Sequence, residues 1–196
     1  MPSSDPRPLL FRALYQARNL IEGTAAGQAG LPTPCAAWDV GTLVGHLCVL
    51  PVRIAWLGAG GDPADVPPLR PDLRPEEWVA EFDRAVTDAR AAWAHDAVLD
   101  RAVRAPIGEH PGRIVAGTYV PEVVTHSWDL AAATGRSATL DPELAAAALE
   151  IAQAILPVER AAAGEWFGRV VEVPDGSGPY ERLAAWMGRD PAWPGR

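Results

Sequence analysis

Apolar residues recur at three-to-four spacing in segment after segment of this chain, and sheet-length alternation is almost absent, so the fold is expected to be mainly helical. Leu9, Leu10, Ala13, Leu14, Ala17, Leu20 and Ile21 mark a first helix, ended by the segment Gly27 to Pro34. Asp39 stands where an N-cap belongs, and Val40, Leu43, Val44, Leu47, Leu50, Ile54 and Leu57 form the stripe of a second helix, which Pro51 should bend. A Pro-rich loop over 62–74 leads to Pro75-Glu76-Glu77 and a third helix reaching about His95, with Trp78, Phe82, Val86, Ala89 and Trp93 inward. After a short extended piece, Val98 to Arg104, Gly112 opens a long fourth helix closed by Gly135. Asp141-Pro142-Glu143 starts a fifth helix that Pro157 bends or ends. The tail is read as a short strand from Arg169 to Val173, a turn over Asp175 to Gly178, and a last helix around Tyr180 to Met187. The sum is a helical bundle with long crossovers.

Length and composition narrow the function. A chain of 196 residues with 48% hydrophobic content is expected to bury one core as a single domain. A net charge of -8, with basic residues scattered along the chain, argues against a nucleic-acid partner. Every basic residue is Arg, which excludes lysine-based chemistry. The N-terminus lacks a signal-like pattern, and no stretch reads as the roughly 18 apolar residues of a membrane span, so a cytoplasmic protein without a membrane partner is expected. Cys35 and Cys48 are read as thiols.

Among polar residues the histidines stand out. His46 and His126 fall inside core helices, whereas His95 and His110 fall at a helix end and in a loop and are expected at the surface. Glu122 precedes His126 by one helical turn, so the two side chains share a face and can grip one ion. Should His46 face them across the bundle, two imidazoles and a carboxylate would make a site with open positions. Such a site suits Zn²⁺ and equally accepts Fe, Ni or Mn. The plainer alternative is a helix-surface hydrogen bond plus one core histidine. Arg53, seven residues after His46, lies on the same face and could clamp a carboxylate, or pair with a neighbouring helix. Asp129 could orient the His126 ring or pair with a surface arginine. Trp38, Trp56 and Trp128 flank these segments, where most tryptophans should fill the core, and Cys35, ahead of the second helix, is a candidate for a lowered pKa.

Three segments together carry a family resemblance. Thr33-Pro34-Cys35-Ala36-Ala37-Trp38-Asp39-Val40 running into Leu43-Val44-Gly45-His46-Leu47 resembles the start of the second helix in mycothiol-dependent maleylpyruvate isomerase N-terminal domains, within the DinB-like superfamily. Glu122 through His126, Trp128 and Asp129 to Gly135 resembles their second ligand segment. Leu183 through Gly188-Arg189-Asp190-Pro191 to Trp193 is similar to the ending of a compact, actinobacterial-type branch. The resemblance implies a DinB-like four-helix bundle: a single metal-binding domain over 1–196, with a core of about 9–165 and a short C-terminal extension of about 166–193. It also implies a divalent metal, zinc foremost, on His46, Glu122 and His126. Related members use mycothiol or bacillithiol to isomerise or conjugate electrophiles, so a thiol transferase or isomerase is expected. Its partners would be a low-molecular-weight thiol and a small electrophile, bound near Arg53, Trp56, Tyr119 and Trp38. A metal-dependent hydrolase or rearrangement enzyme and a non-enzymatic binding module are the alternatives, with a monomer or homodimer as the assembly. Two-domain isomerases carry a further C-terminal domain that this chain is expected to lack.

Overall fold

The structure, a computed structural model, describes residues 5–156 and 168–193. Four helices make the bundle: α1 (Arg7–Glu22), α2 (Val40–Ala59), α3 (Trp78–Ala92) and, after a one-turn α4 (Ala97–Asp100) and a hairpin of β1 (Ala102–Ala105) and β2 (Gly108–Pro111), α5 (Gly112–Ala133). Their packing closes a ring in which α1 touches α3, α3 touches α2, α2 touches α5 and α5 returns to α1. The chain therefore crosses the bundle diagonally from α1 to α2 and again from α3 to α5. Then α6 (Pro142–Ile155) lies on α5, and α7 (Pro179–Trp186) packs on α6 and α5.

Local signals explain the boundaries. The Asp39 carboxylate accepts the Thr42 N–H at 2.8 Å and starts α2, and Asp141 does the same for Glu143 at 3.0 Å to start α6. A single 3₁₀ turn, Pro75–Glu77, feeds α3. The core joins Leu10, Leu14, Leu43, Leu47, Leu50, Ile54, Phe82 and Trp93, all at most 1% exposed. The Trp93 indole satisfies its N–H on the Ile54 carbonyl at 2.7 Å. Each fully buried side chain of this size stabilises the fold by about 2 kcal/mol.

Helices α2 and α5 are apolar nearly all round because neighbours cover them on several sides. By length and composition α2 does reach the threshold for a membrane span, contrary to the expectation above, but most of it is buried inside the bundle. Both helices run on through an internal proline, Pro51 and Pro121.

Two local expectations change. Arg169 to Val173 forms no strand: among the described residues nothing pairs with it as a sheet, and its Val171 N–H bonds instead to the Ala185 carbonyl of α7 at 2.9 Å. The extended region before α5 is a complete antiparallel hairpin, with Val103 opposite His110, preceded by a helical turn. Pro157 lies outside the described residues. His95 is exposed and His110 half-exposed.

Candidate metal centre

His46 lies about a third of the way along α2 and is 5% exposed. Its ring is oriented by the loop between α2 and α3, whose Pro68 carbonyl accepts from Nδ1 at 2.8 Å. That loop comes unusually close to the helix. A Cβ on Gly45 would stand 2.8 Å from the Arg70 carbonyl oxygen, so the residue beside His46 must be glycine for the loop backbone to reach the imidazole.

On α5, Glu122 and His126 project one turn apart toward α2, as their spacing requires. His126, also 5% exposed, turns Nδ1 to Asp129 Oδ2 at 3.0 Å. Asp129 is fully buried and receives the Arg189 guanidinium through Nη2 to Oδ2 at 3.1 Å and Nε to Oδ1 at 3.4 Å. The Nδ1 partners of both histidines, a carbonyl and a carboxylate, can only accept. On the other side each Nε2 also faces an acceptor, the Glu122 carboxylate, but at 3.3 and 3.6 Å, so the shorter Nδ1 contacts hold the proton of each neutral ring and leave the lone pair at Nε2.

Those lone pairs converge. His46 Nε2 and His126 Nε2 lie 3.3 and 3.6 Å from the same oxygen, Glu122 Oε1. Three acceptors thus meet with no hydrogen among them when both rings are neutral, an arrangement stable only around a cation. A tetrahedral ion with bonds of about 2.1 Å would space its donors about 3.4 Å apart, and two nitrogens with one carboxylate oxygen are a donor set zinc accepts. The residues fit the ion.

Electrostatics agree. Burial works against charge on Glu122, yet the imidazoles beside it, when one carries a proton on Nε2, hold its carboxyl well below the usual range. Burial likewise opposes a charged His126, but Asp129 and Glu122 outweigh it and raise its pKa. Without metal, a proton on an imidazole takes the cation's part. The Glu122 side chain keeps 25% exposure, so the cluster is open on that side.

Trp38 covers the two rings, with centroids 4.7 Å from His46 and 5.3 Å from His126. Thr33 fixes the loop that presents it, donating its hydroxyl to the Trp38 carbonyl at 2.8 Å. In the same loop Cys35 approaches His126 and Asp129. Its thiol is not activated: burial pushes it up to about 11, reinforced by Asp129 and Glu122 and only partly opposed by Arg189. The expected lowering fails because Cys35 precedes the N-cap by four residues and sits among carboxylates.

The remaining candidates divide. Arg53, 8% exposed, donates Nη2 to the Val66 carbonyl at 2.9 Å, and its buried Nε has no partner among the described residues. It shares electrostatic contact with Tyr119, which is 8% exposed and also feels Glu122. Trp56 turns away: it is 43% exposed and donates its indole N–H to the Asp62 carbonyl at 3.0 Å. Ten residues along a helix rotate it by roughly a quarter-turn from the His46 face. Three supporting groups escaped the sequence reading. The Pro68 carbonyl has no residue-type signal, Gly45 could have been flagged only as a glycine inside a helix, and Arg189 was visible solely as part of the C-terminal signature.

The mycothiol maleylpyruvate isomerase N-terminal domain family matches residues 10–131, a span that includes all three clustered side chains. Uncharacterized proteins from two strains of Mycobacterium tuberculosis are 34% identical over 185 residues, covering 94% of this chain and 98% of theirs. Among solved structures, the mycothiol-dependent maleylpyruvate isomerase aligns with a TM-score of 0.61 at 16% identity, covering 86% of this chain and 75% of that one. Its histidine-to-alanine variant aligns at 0.63 and 15%, with the same coverage. At such identities the structural match speaks for the shared DinB-like fold alone. The family match rests on more than half of the sequence, and by it this chain belongs to the mycothiol maleylpyruvate isomerase N-terminal domain family.

Proposed function

We propose that this protein is an enzyme that holds one divalent metal on His46, Glu122 and His126 and activates a low-molecular-weight thiol of the mycothiol type for attack on a small electrophile. The single observation that carries the reading is the convergence of two imidazole lone pairs on one carboxylate oxygen, at 3.3 and 3.6 Å. Family membership supplies the thiol. The metal, zinc foremost and nickel, iron or manganese as alternatives, would act as a Lewis acid that keeps the thiol ionised at neutral pH.

The chain's own residues set the conditions. Pro68 and Asp129 hold both Nδ1–H groups, so the Nε2 atoms stay free to ligate. Trp38 shields the rings from water on one side, and the exposed edge of Glu122 leaves an approach on another. Arg53, with its unpaired Nε, and Tyr119 are assigned to a carboxylate or other anionic group of the electrophile. Trp56 is left out of this pocket because it faces the Asp62 loop. A new S–C bond with protonation of the adjacent carbon gives S-transfer. Addition to a conjugated double bond, rotation about the resulting single bond and expulsion of the thiol give isomerisation. We place this activity in the cytoplasm, in a monomer or homodimer, without nucleic acid or membrane.

The test is turnover of an activated alkene by zinc-loaded protein with and without added thiol. Thiol-dependent product that disappears in His46→Ala supports the proposal. Turnover that ignores thiol removes the thiol from the reaction and leaves metal-activated water as the nucleophile, and binding of the electrophile that survives His46→Ala without turnover makes the protein a binding module.

A further inference from the structure

We propose that Arg189, in the C-terminal extension, is a positioning residue for the metal centre: through Asp129 it locks His126 in the tautomer that leaves Nε2 free. The extension is then a working part of the site, not an appendage to the bundle. For its consequence the inference rests on the metal reading above, but its structural content does not.

The link can be followed atom by atom. Asp129 is fully buried, and its oxygens receive only donors: His126 Nδ1–H at 3.0 Å, Arg189 Nη2–H at 3.1 Å and Arg189 Nε–H at 3.4 Å. Because Arg189 can only donate, Asp129 is held as an ionised acceptor, and the hydrogen between Asp129 and His126 belongs to the histidine. The fork also fixes the plane of the carboxylate, which on a lone buried aspartate would be set by His126 alone.

Arg189 is itself held rigidly. Gly188, at φ +80, ends α7 in a left-handed turn, with the Gly188 N–H on the Ala185 carbonyl at 3.1 Å and the Arg189 N–H on the Ala184 carbonyl at 2.9 Å. This glycine cap reverses the chain and sends the Arg189 side chain back into the bundle, where it is 9% exposed and donates Nη1 to the Met187 carbonyl at 2.9 Å. Leu183 and Met187 bury α7 in the core, and the Tyr180 hydroxyl meets Gln16 of α1 at 2.8 Å. A rigid path thus runs from α1 through α7 to the His126 ring. His46 takes no part in it, since the Pro68 carbonyl sets its tautomer separately.

That independence supplies an internal control. Two-bond ¹H–¹⁵N correlation spectra of histidine-labelled, metal-free protein at pH 8, with His126 assigned from a His126→Gln variant, read both tautomers directly. Wild type is expected to keep Nδ1 protonated at both rings, whether or not an extra proton on one Nε2 stands in for the metal. In Arg189→Met, His126 should lose its single tautomer while His46 keeps its own, and Arg189→Lys should restore the wild-type pattern at least in part. Zinc affinity should fall about 10- to 100-fold in Arg189→Met and less in Arg189→Lys. Should Arg189→Met fail to fold, Asp129→Asn decides: its amide can donate to Nδ1, so His126 should move to the Nε2–H form. An unchanged Nδ1–H at His126 in the folded Arg189→Met protein overturns the proposal, as does a change that affects His46 equally. If wild type binds no zinc yet His126 alone depends on Arg189, the metal reading falls and the positioning role stands.

Discussion

His126 has two faces, and each belongs to a cluster that could hold a cation. On the Nε2 side stand His46 and Glu122; on the Nδ1 side stand Asp129 and Cys35. The second set looks at first like the better ligand group, because it offers a sulfur as well as a carboxylate. Yet Arg189 already supplies its positive charge, and burial keeps the Cys35 thiol protonated with a pKa pushed up to about 11. Among the described residues no arginine pairs with the first set, and its two imidazoles are turned so that only lone pairs point inward when both are neutral. A group of donors is poised for metal when the protein has oriented them and withheld its own cation, and unready when a guanidinium fills that role.

Changes on the Nε2 side should break this contrast most strongly. Glu122→Gln removes the anion that both Nε2 atoms face, and zinc affinity measured by competition with a chelating dye should drop on the order of a hundredfold or more, exceeding the loss typical of outer partners. Retained affinity would show that the carboxylate is not a ligand. Gly45→Ala comes next. Its methyl meets the Arg70 carbonyl, so the loop must retreat and the Pro68–His46 bond weakens. A stability loss of about 1–3 kcal/mol in urea unfolding, with zinc binding weakened roughly tenfold, is expected.

Asp39→Ala should touch neither face. It removes the cap of α2 and lowers stability by about 1 kcal/mol while leaving zinc binding intact. Hydrogen bonds from Thr42 depress the Asp39 pKa, so this contribution is complete above the unfolded carboxyl value of about 3.9 and fades as pH falls through the lower folded value. Melting temperatures of wild type and variant should accordingly converge in strong acid, and a gap that persists there would rule out the ionised cap. The smallest effect concerns the guarded face: alkylation of Cys35 at pH 8 should proceed through a thiolate fraction on the order of a thousandth. Labelling as fast as a free thiol would mean that the cluster is open after all.

Much of this architecture was legible from spacing. The stripes of α1, α2 and α3 and the i,i+4 pair on α5 follow helix geometry directly, because local periodicity and burial agree. His46 was different: its place opposite Glu122, 76 residues away, depends on which helices adjoin around the ring, and only the family resemblance suggested it. Arg169 to Val173 looked like a strand from its valines, but extended chain becomes sheet only with a partner, and α7 took that backbone contact. Trp56 stands about a quarter-turn round α2 from His46 and bonds to the Asp62 carbonyl, a placement set by the loop after the helix that sequence spacing alone does not reveal. The Pro68 carbonyl and Arg189 lay beyond reach for a shared reason, since each acts on a histidine through a contact made far along the chain and leaves no periodic trace.

The most direct measurement is calorimetric titration of zinc into metal-stripped protein at pH 7.5, for wild type, His46→Ala and His126→Ala. One tight site per chain in wild type, absent from both variants, is the expected result. Equal and weak binding by all three would contradict a metal centre at His46, Glu122 and His126.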